Sequence, residues 1–275
     1  MSSVDIRGAF ASLKEWTDFR AKHADTLSPR NVSDIAARIR SNGFNFSFVG
    51  RRIAPDEMTF EGDNYRETIA YNGVICRQRA ILTEFLRLVD QNRPHGCAIY
   101  SPEALTPVAM LLKSRFPRFI GSEYSENSDT KRKLYPIPIE DLASLSLLSN
   151  SFDAVLVNDV FEHLPDLQSS LCEIYRILLP NGVLISTFPF NINGADTIVK
   201  ARRSAQGIEH LAAPEYHGDP VNEDGALVYQ IPGWDILAHA RTAGFADAKI
   251  VCLMSEDDGI IANHSGGIMM LEARK

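Results

Sequence analysis

The stretch SFDAVLVNDVFEHLPDLQSSLCEIYRILLPNGVLISTFPF, residues 151–190, decides the fold. DAVLVND (153–159) is a short, nearly continuous apolar run, the pattern of a strand buried on both faces. Leu167, Leu171, Ile174, Tyr175 and Leu178 follow at helical steps, and GVLISTF (182–188) is a second apolar run. Strand, crossover helix and strand in this order predict a βαβ unit with its strands parallel.

Working outward, CAIY (97–100) predicts a strand, Val108, Met110, Leu111 and Leu112 a helix, FIGSEY (119–124) a second strand, and LYPIPI (134–139) a third, weaker one. Downstream lie a polar insertion at about 191–230, a helix from Trp234 to Ala243 closed by Gly244, and the strands DAKIVCL (247–253) and GIMMLEAR (267–274). The short link between these last two predicts an antiparallel hairpin. The expected fold is α/β: a doubly wound, Rossmann-like, mostly parallel sheet with an antiparallel last strand.

Residues 1–96 read as a helical and irregular N-terminal extension, and 97–275 as the main domain. From Val4 to about Ala24, the residues Ile6, Phe10, Leu13, Trp16 and Phe19 recur at helical spacing. Ser28-Pro29 reads as the start of a second helix through Ile35 and Ile39 that stops at Gly43. Phe44, Phe46 and Phe48 alternate as in a strand, and a helix through Ala80, Ile81, Phe85, Leu86 and Val89 ends near Asn92-Arg93-Pro94.

The chain has 275 residues, 45% hydrophobic and 23% charged, which excludes disordered and collagen-like classes. Its 28 basic and 35 acidic residues leave a net charge of −7 with no basic cluster, so nucleic acid is not an expected partner. Four scattered cysteines form neither a disulfide framework nor a zinc spacing. With no signal pattern and no membrane-spanning apolar run, a cytoplasmic location is expected. The apolar stripe of the first helix suits either a cover over a site or the face of a homodimer.

Residues 151–190 resemble the second half of a class I S-adenosylmethionine-dependent methyltransferase. Phe152-Asp153, Glu162-His163, Arg176, Leu178, Pro180, Gly182, Thr187 and Pro189 occupy the places of that family's F-D, E-H, R-x-L-x-P-x-G and T-x-P signals. The segment 209–245, with its PEYHGDP core, resembles the insertion of a bacterial subgroup associated with glycan modification. RETIAYNGVICRQRAI (66–81) is similar to a region that carries zinc cysteines in some relatives, but Cys76 alone cannot make a tetrahedral thiolate site. One departure is clear. The family's glycine-rich loop after the first strand is replaced by Ser101-Pro102-Glu103-Ala104-Leu105-Thr106-Pro107, and no glycine stands between Gly96 and Gly121.

The resemblance implies S-adenosylmethionine as cofactor, held at the carboxyl ends of the parallel strands. Glu123 is placed to accept from ribose hydroxyls, with Tyr124 beside it. Asp141 is placed to accept from the adenine amino group or to cap a helix, with the Leu142 N–H adjacent. Ser101 and Glu103 either stand in for the glycine loop or form a plain turn, and Asn158, Asp159 and Val160 lie near the sulfonium, with Asp159 equally suited to forming a turn. A base is needed if the acceptor is a hydroxyl, and His163, His217 and His210 are the candidates. Glu162, Tyr216 and Asp219 are candidate acceptor contacts. No spacing among these residues forces convergence on a metal, so none is assigned.

These readings predict O-methylation of a small-molecule or glycan-type acceptor. The rival reading, motivated by the glycine-free loop, is a non-catalytic methyltransferase-like scaffold. Another nucleotide enzyme is disfavoured because neither GxGxxG nor a Walker lysine is present.

Overall fold

Asp5–Phe10, expected as the start of the first helix, is instead a strand, β1. In this computed structural model, which describes residues 3–89 and 96–275, β1 pairs antiparallel with residues 250–255, from Asp5↔Ser255 to Phe10↔Ile250. Ile6, Gly8 and Phe10 share one strand face, and long-range pairing satisfies the backbone where a helix would otherwise have done so. The helix begins only after Ser12, whose side chain accepts from the Glu15 N–H and caps α1 (Leu13–Lys22).

The next elements follow the expected order. They are α2 (Pro29–Asn42), capped by Ser28 and ended by Gly43 at φ 75°, β2 (Phe44–Phe46), β3 (Arg51–Ile53) and α3 (Cys76–Leu88). The expected stop at Asn92-Arg93-Pro94 lies outside the described residues. Residues 3–89 and 249–271 form one compact unit. Its interior holds Trp16, Ile35, Ile39, Phe44, Ile53, Ile81 and Phe85. Arg79 is buried there, donating to the carbonyls of Ile69, Val74 and Gly259, with its guanidinium 4.1 Å from the Phe44 ring centroid.

Residues 96–248 and 272–275 form the second unit. It runs β4 (Ala98–Ser101), α4 (Pro107–Arg115), β5 (Arg118–Gly121), α5 (Ser128–Leu134), β6 (Phe152–Asn158), α6 (Leu167–Ile177) and β7 (Leu178–Thr187). LYPIPI does not form a strand: Leu134 ends α5, and only Ile139 bridges, in parallel, to Glu123. Its two prolines have no N–H to give a ladder. The insertion folds into three small ribbons built from β8 (Ile198–Val199), β9 (Ala201–Ser204), β10 (Gly207–His210), β11 (Tyr216–His217), β12 (Ala226–Leu227) and β13 (Gln230–Ile231), paired β9–β10, β11–β12 and β8–β13. α7 (Ile236–Ala243) is closed by Gly244 at φ 113°, and β14 (Asp247–Ser255) and β15 (Ile268–Arg274) complete the chain.

Strand order is β7-β6-β4-β5 in the second unit and β1-β14-β15 in the first. Pairs β4–β5, β4–β6 and β6–β7 are parallel, as the apolar runs predict. The order steps outward from β4 on both sides, so the strand order reverses at β4. The carboxyl ends of β4 and β6 are where such a sheet takes ligands. Among the described residues no helix is long and apolar enough to cross a membrane.

Candidate active site

The glycine-free loop after β4 is held by two carboxylates. Glu123 Oε1 accepts from the N–H groups of Ala104 and Leu105, each at 2.9 Å. Glu103 Oε2 accepts from the Asn158 backbone N–H at 2.7 Å and its side-chain amide at 3.1 Å. Thr106 then caps α4 through the Ala109 N–H. Burial raises the Glu123 carboxyl above the ordinary range, the two loop N–H groups oppose this, and the charge of Asp219 adds to the rise.

Space for the loop comes from Gly121, the register partner of Ser101 on β5. A Cβ at Gly121 would lie 3.0 Å from Ala104 Cα and 3.1 Å from Ala104 Cβ. The bare backbone of Gly121 thus leaves room for Ala104 of this loop to lie close against β5.

At the ends of β6 and β7, Asn158 stands in register with Thr187, and both are buried. Asn158 Oδ1 and Thr187 Oγ1 have no hydrogen-bond partner among the described residues. Asp159 has a φ of 50°, an uncommon conformation for a non-glycine residue, while its N–H bonds the Thr187 carbonyl at 2.9 Å. Buried polar atoms without partners beside a strained residue are what a bound polar ligand would satisfy. Thr187 had been legible only as part of the T-x-P signal; its unpartnered hydroxyl makes it a site residue that sequence reasoning missed.

Asp141 is exposed and folds a turn, with its carboxylate accepting from the Ala143 N–H at 2.9 Å, while Leu142 is buried. No helix follows, so the capping alternative for Asp141 becomes a turn of the same local chemistry. Tyr124 is half exposed, and its hydroxyl donates to Glu126 at 2.7 Å. Arg203 from β9 reaches the same carboxylate at 2.8 Å.

The insertion brings His217 to Glu162 and His163, which follow β6 in a short 3-10 turn (161–163). Three hydrogen bonds hold it there: Tyr229 N–H to Glu162 O at 2.8 Å, and the Gln230 side-chain amide to Phe161 O and Leu164 O at 3.3 and 3.1 Å. Pairing of His217 with Ala226 and of Tyr216 with Leu227 sets the register. His217 Nδ1 then lies 3.4 Å and His163 Nε2 3.6 Å from Glu162 Oε1, and the two rings meet edge-on at 5.0 Å. Glu162 is fully buried, and neither of its oxygens has a hydrogen-bond partner among the described residues. The Glu162 carboxylate raises His217 above the usual imidazole value, against the effect of burial, with Glu215 adding to the rise.

The other expected contacts spread out. His210 is exposed at the end of β10 and is not in this cluster, nor is Tyr216, which is exposed on β11. Asp219 folds a turn onto the Val221 N–H at 2.8 Å.

With this geometry in place, comparison with known proteins gives the class. Residues 107–186 match the family described as "Methyltransferase domain". A curated relative, the arsenite methyltransferase of Aquipseudomonas alcaligenes, is 52% identical over 118 residues. That match takes in 41% of this chain, and the chain spans only 28% of the relative's length. Among solved structures, an S-adenosylmethionine-dependent methyltransferase from Mesorhizobium loti is 14% identical, with a TM-score of 0.46 over 73% of this chain and 98% of its own. Phosphoethanolamine N-methyltransferase 2 of Haemonchus contortus, solved with S-adenosyl-L-methionine, is 16% identical, with a TM-score of 0.39 over 66% of this chain and 40% of its own. Residues 107–186 are thus similar to a methyltransferase domain.

Proposed function

We propose that the protein transfers a methyl group from S-adenosylmethionine to a hydroxyl oxygen of a polyhydroxylated small molecule or glycan-type acceptor. The observation that carries the acceptor chemistry is the convergence of Glu162, His163 and His217. These groups belong to different segments and meet beside the switch point of the sheet. When bound, the cofactor supplies a methyl on a sulfonium centre, open to in-line displacement with sulfur keeping the electron pair. Asn158 and Thr187 offer buried polar atoms to it, and Glu123, anchored to the loop through Oε1, would accept from the ribose hydroxyls through its other oxygen. The histidine pair, backed by Glu162, is where the acceptor proton is taken up.

The arsenite relative suggests a different acceptor, but the donor atoms here argue against it. Trivalent arsenic is soft and selects thiolates. Cys76, Cys97 and Cys252 are buried, Cys172 is exposed on α6, and none belongs to the nitrogen-and-oxygen cluster.

Calorimetric titration with S-adenosylhomocysteine tests the cofactor half of this reading. Micromolar binding is expected, weakened by more than about 1 kcal/mol in Glu123→Ala, which loses a charge-assisted acceptor. No binding at millimolar ligand would overturn it and make the scaffold reading the leading one. The acceptor half is tested by methyl transfer to nucleotide sugars and glycans, with arsenite as the control; turnover of arsenite alone would reject the oxygen acceptor.

A further inference from the structure

We infer that Glu162, His163 and His217 form a binding site for a divalent first-row transition cation, of which zinc is the natural probe. The inference deepens the function proposed above by making acceptor activation pass through a cation, and it rests on that reading only for the purpose of the site.

The argument begins with the orientation of the imidazoles. His163 Nδ1 lies 2.9 Å from the Leu227 carbonyl, which can only accept, so Nδ1 carries the hydrogen. Nε2 therefore presents a lone pair, and it is this atom that faces Glu162. His217 Nε2 lies 3.3 Å from a Glu215 carboxylate oxygen, which again accepts, leaving the Nδ1 lone pair of the neutral ring facing Glu162. Glu215 is itself paired with Lys200, so its carboxylate is fixed.

Two nitrogen lone pairs and a fully buried carboxylate with no hydrogen-bond partner among the described residues thus point at one another. One ligand atom from each residue lies within 4.8 Å of the others. Three electron-rich atoms gathered this closely repel unless a positive charge lies among them. A proton on His217 would satisfy one side only. A cation satisfies all three, and the outer hydrogen bond on each ring is the arrangement that fixes metal-binding histidines.

The donor set selects the class of cation. One carboxylate oxygen and two imidazole nitrogens suit zinc, iron(II) or cobalt(II) far better than magnesium, which prefers oxygen alone. Three protein ligands leave coordination positions open, and an acceptor hydroxyl bound there would lose its proton more readily; with both imidazole lone pairs engaged by the cation, that proton passes to solvent water and the histidines act as ligands, not as bases. The ligands come from two segments more than fifty residues apart, which is why no spacing in the sequence announced them.

The test uses the full chain stripped with a chelator and then titrated with zinc, with bound metal counted by mass spectrometry. One equivalent per chain is expected, with affinity at least tenfold weaker in Glu162→Gln and in His217→Asn and with magnesium unable to compete. Absence of stoichiometric zinc in the wild-type chain would overturn the site, as would binding unchanged in both variants or displaced by equimolar magnesium. Thermal unfolding of each variant monitors the fold, and the less buried His217 gives a reading independent of the core position. S-adenosylhomocysteine titration of the same samples keeps the two proposals apart: zinc bound without cofactor would sink the methyltransferase reading alone, and cofactor bound without zinc would sink the metal site alone.

Discussion

Glu84 and Glu162 are both buried carboxylates, 1% and 0% exposed, one in each compact unit, and they are treated in opposite ways. Glu84 on α3 is clasped by two guanidinium groups, with Arg7 Nη2 and Arg87 Nη2 each 2.6 Å from its Oε1. Glu162 has two imidazoles at 3.4 and 3.6 Å and no hydrogen bond among the described residues. A buried charge is normally retained only when paired, because desolvation costs several kcal/mol. The first carboxylate meets that condition within the fold. The second meets it only loosely, through His217 and His163, and it is this looser pairing that the proposed site would use.

The largest effect expected from this comparison is on stability. Glu84→Gln should lose about 3 kcal/mol, since it breaks a buried pair and strands two guanidinium groups. Glu162→Gln, measured with chelator present, should cost less than Glu84→Gln, because its imidazole partners at 3.4 and 3.6 Å hold it more loosely than two guanidinium groups at 2.6 Å. Urea unfolding of the two variants decides the matter: a greater loss for Glu162→Gln would dissolve the distinction between them.

A second prediction sharpens the contrast by probing space instead of charge. Gly121→Val should push Ala104 off β5 and loosen the loop held by Glu103 and Glu123. The affinity for S-adenosylhomocysteine should fall about tenfold, or ~1.4 kcal/mol, with α3 and its ion pairs unaffected. Unchanged affinity would show that the loop reaches its position without that vacancy.

The smallest effect concerns pH. In the first unit, Arg38 holds the Glu256 carboxyl below its usual range, with Arg38 Nε at 2.7 Å. A carboxyl whose folded value is depressed stabilises the fold above its unfolded value and loses that contribution as pH falls through the folded one. The loss should begin below about pH 5 and amount to under ~1 kcal/mol, since the pair is partly exposed. Glu256→Gln should flatten that part of the stability curve. Glu123 shifts the other way, raised by burial, and so contributes nothing to this acid loss.

How far these features were legible depended on the range of the interactions behind them. The β6–α6–β7 unit was plain because its apolar runs are local and its strands are buried on both faces. The N-terminal strand was not, because Phe10, Leu13 and Trp16 continue a helical rhythm that only pairing with β14 breaks. The ribbons of the insertion escaped notice because strands of two to four residues are too short to show a period. LYPIPI looked like a strand by composition, yet its prolines denied it a ladder. Glu162, His163 and His217 were each visible as candidates, but their meeting depends on the β11–β12 register and on a carbonyl at Leu227.

Gly121 has a consequence for recognising such proteins. A fingerprint search that asks for glycines within one loop scores only the residues that bend, and it passes over this chain. What this loop requires is a missing side chain between two backbones, and here β5 leaves it out. The vacancy is a property of a strand pair, Ser101 opposite Gly121, which a linear pattern of loop residues does not read.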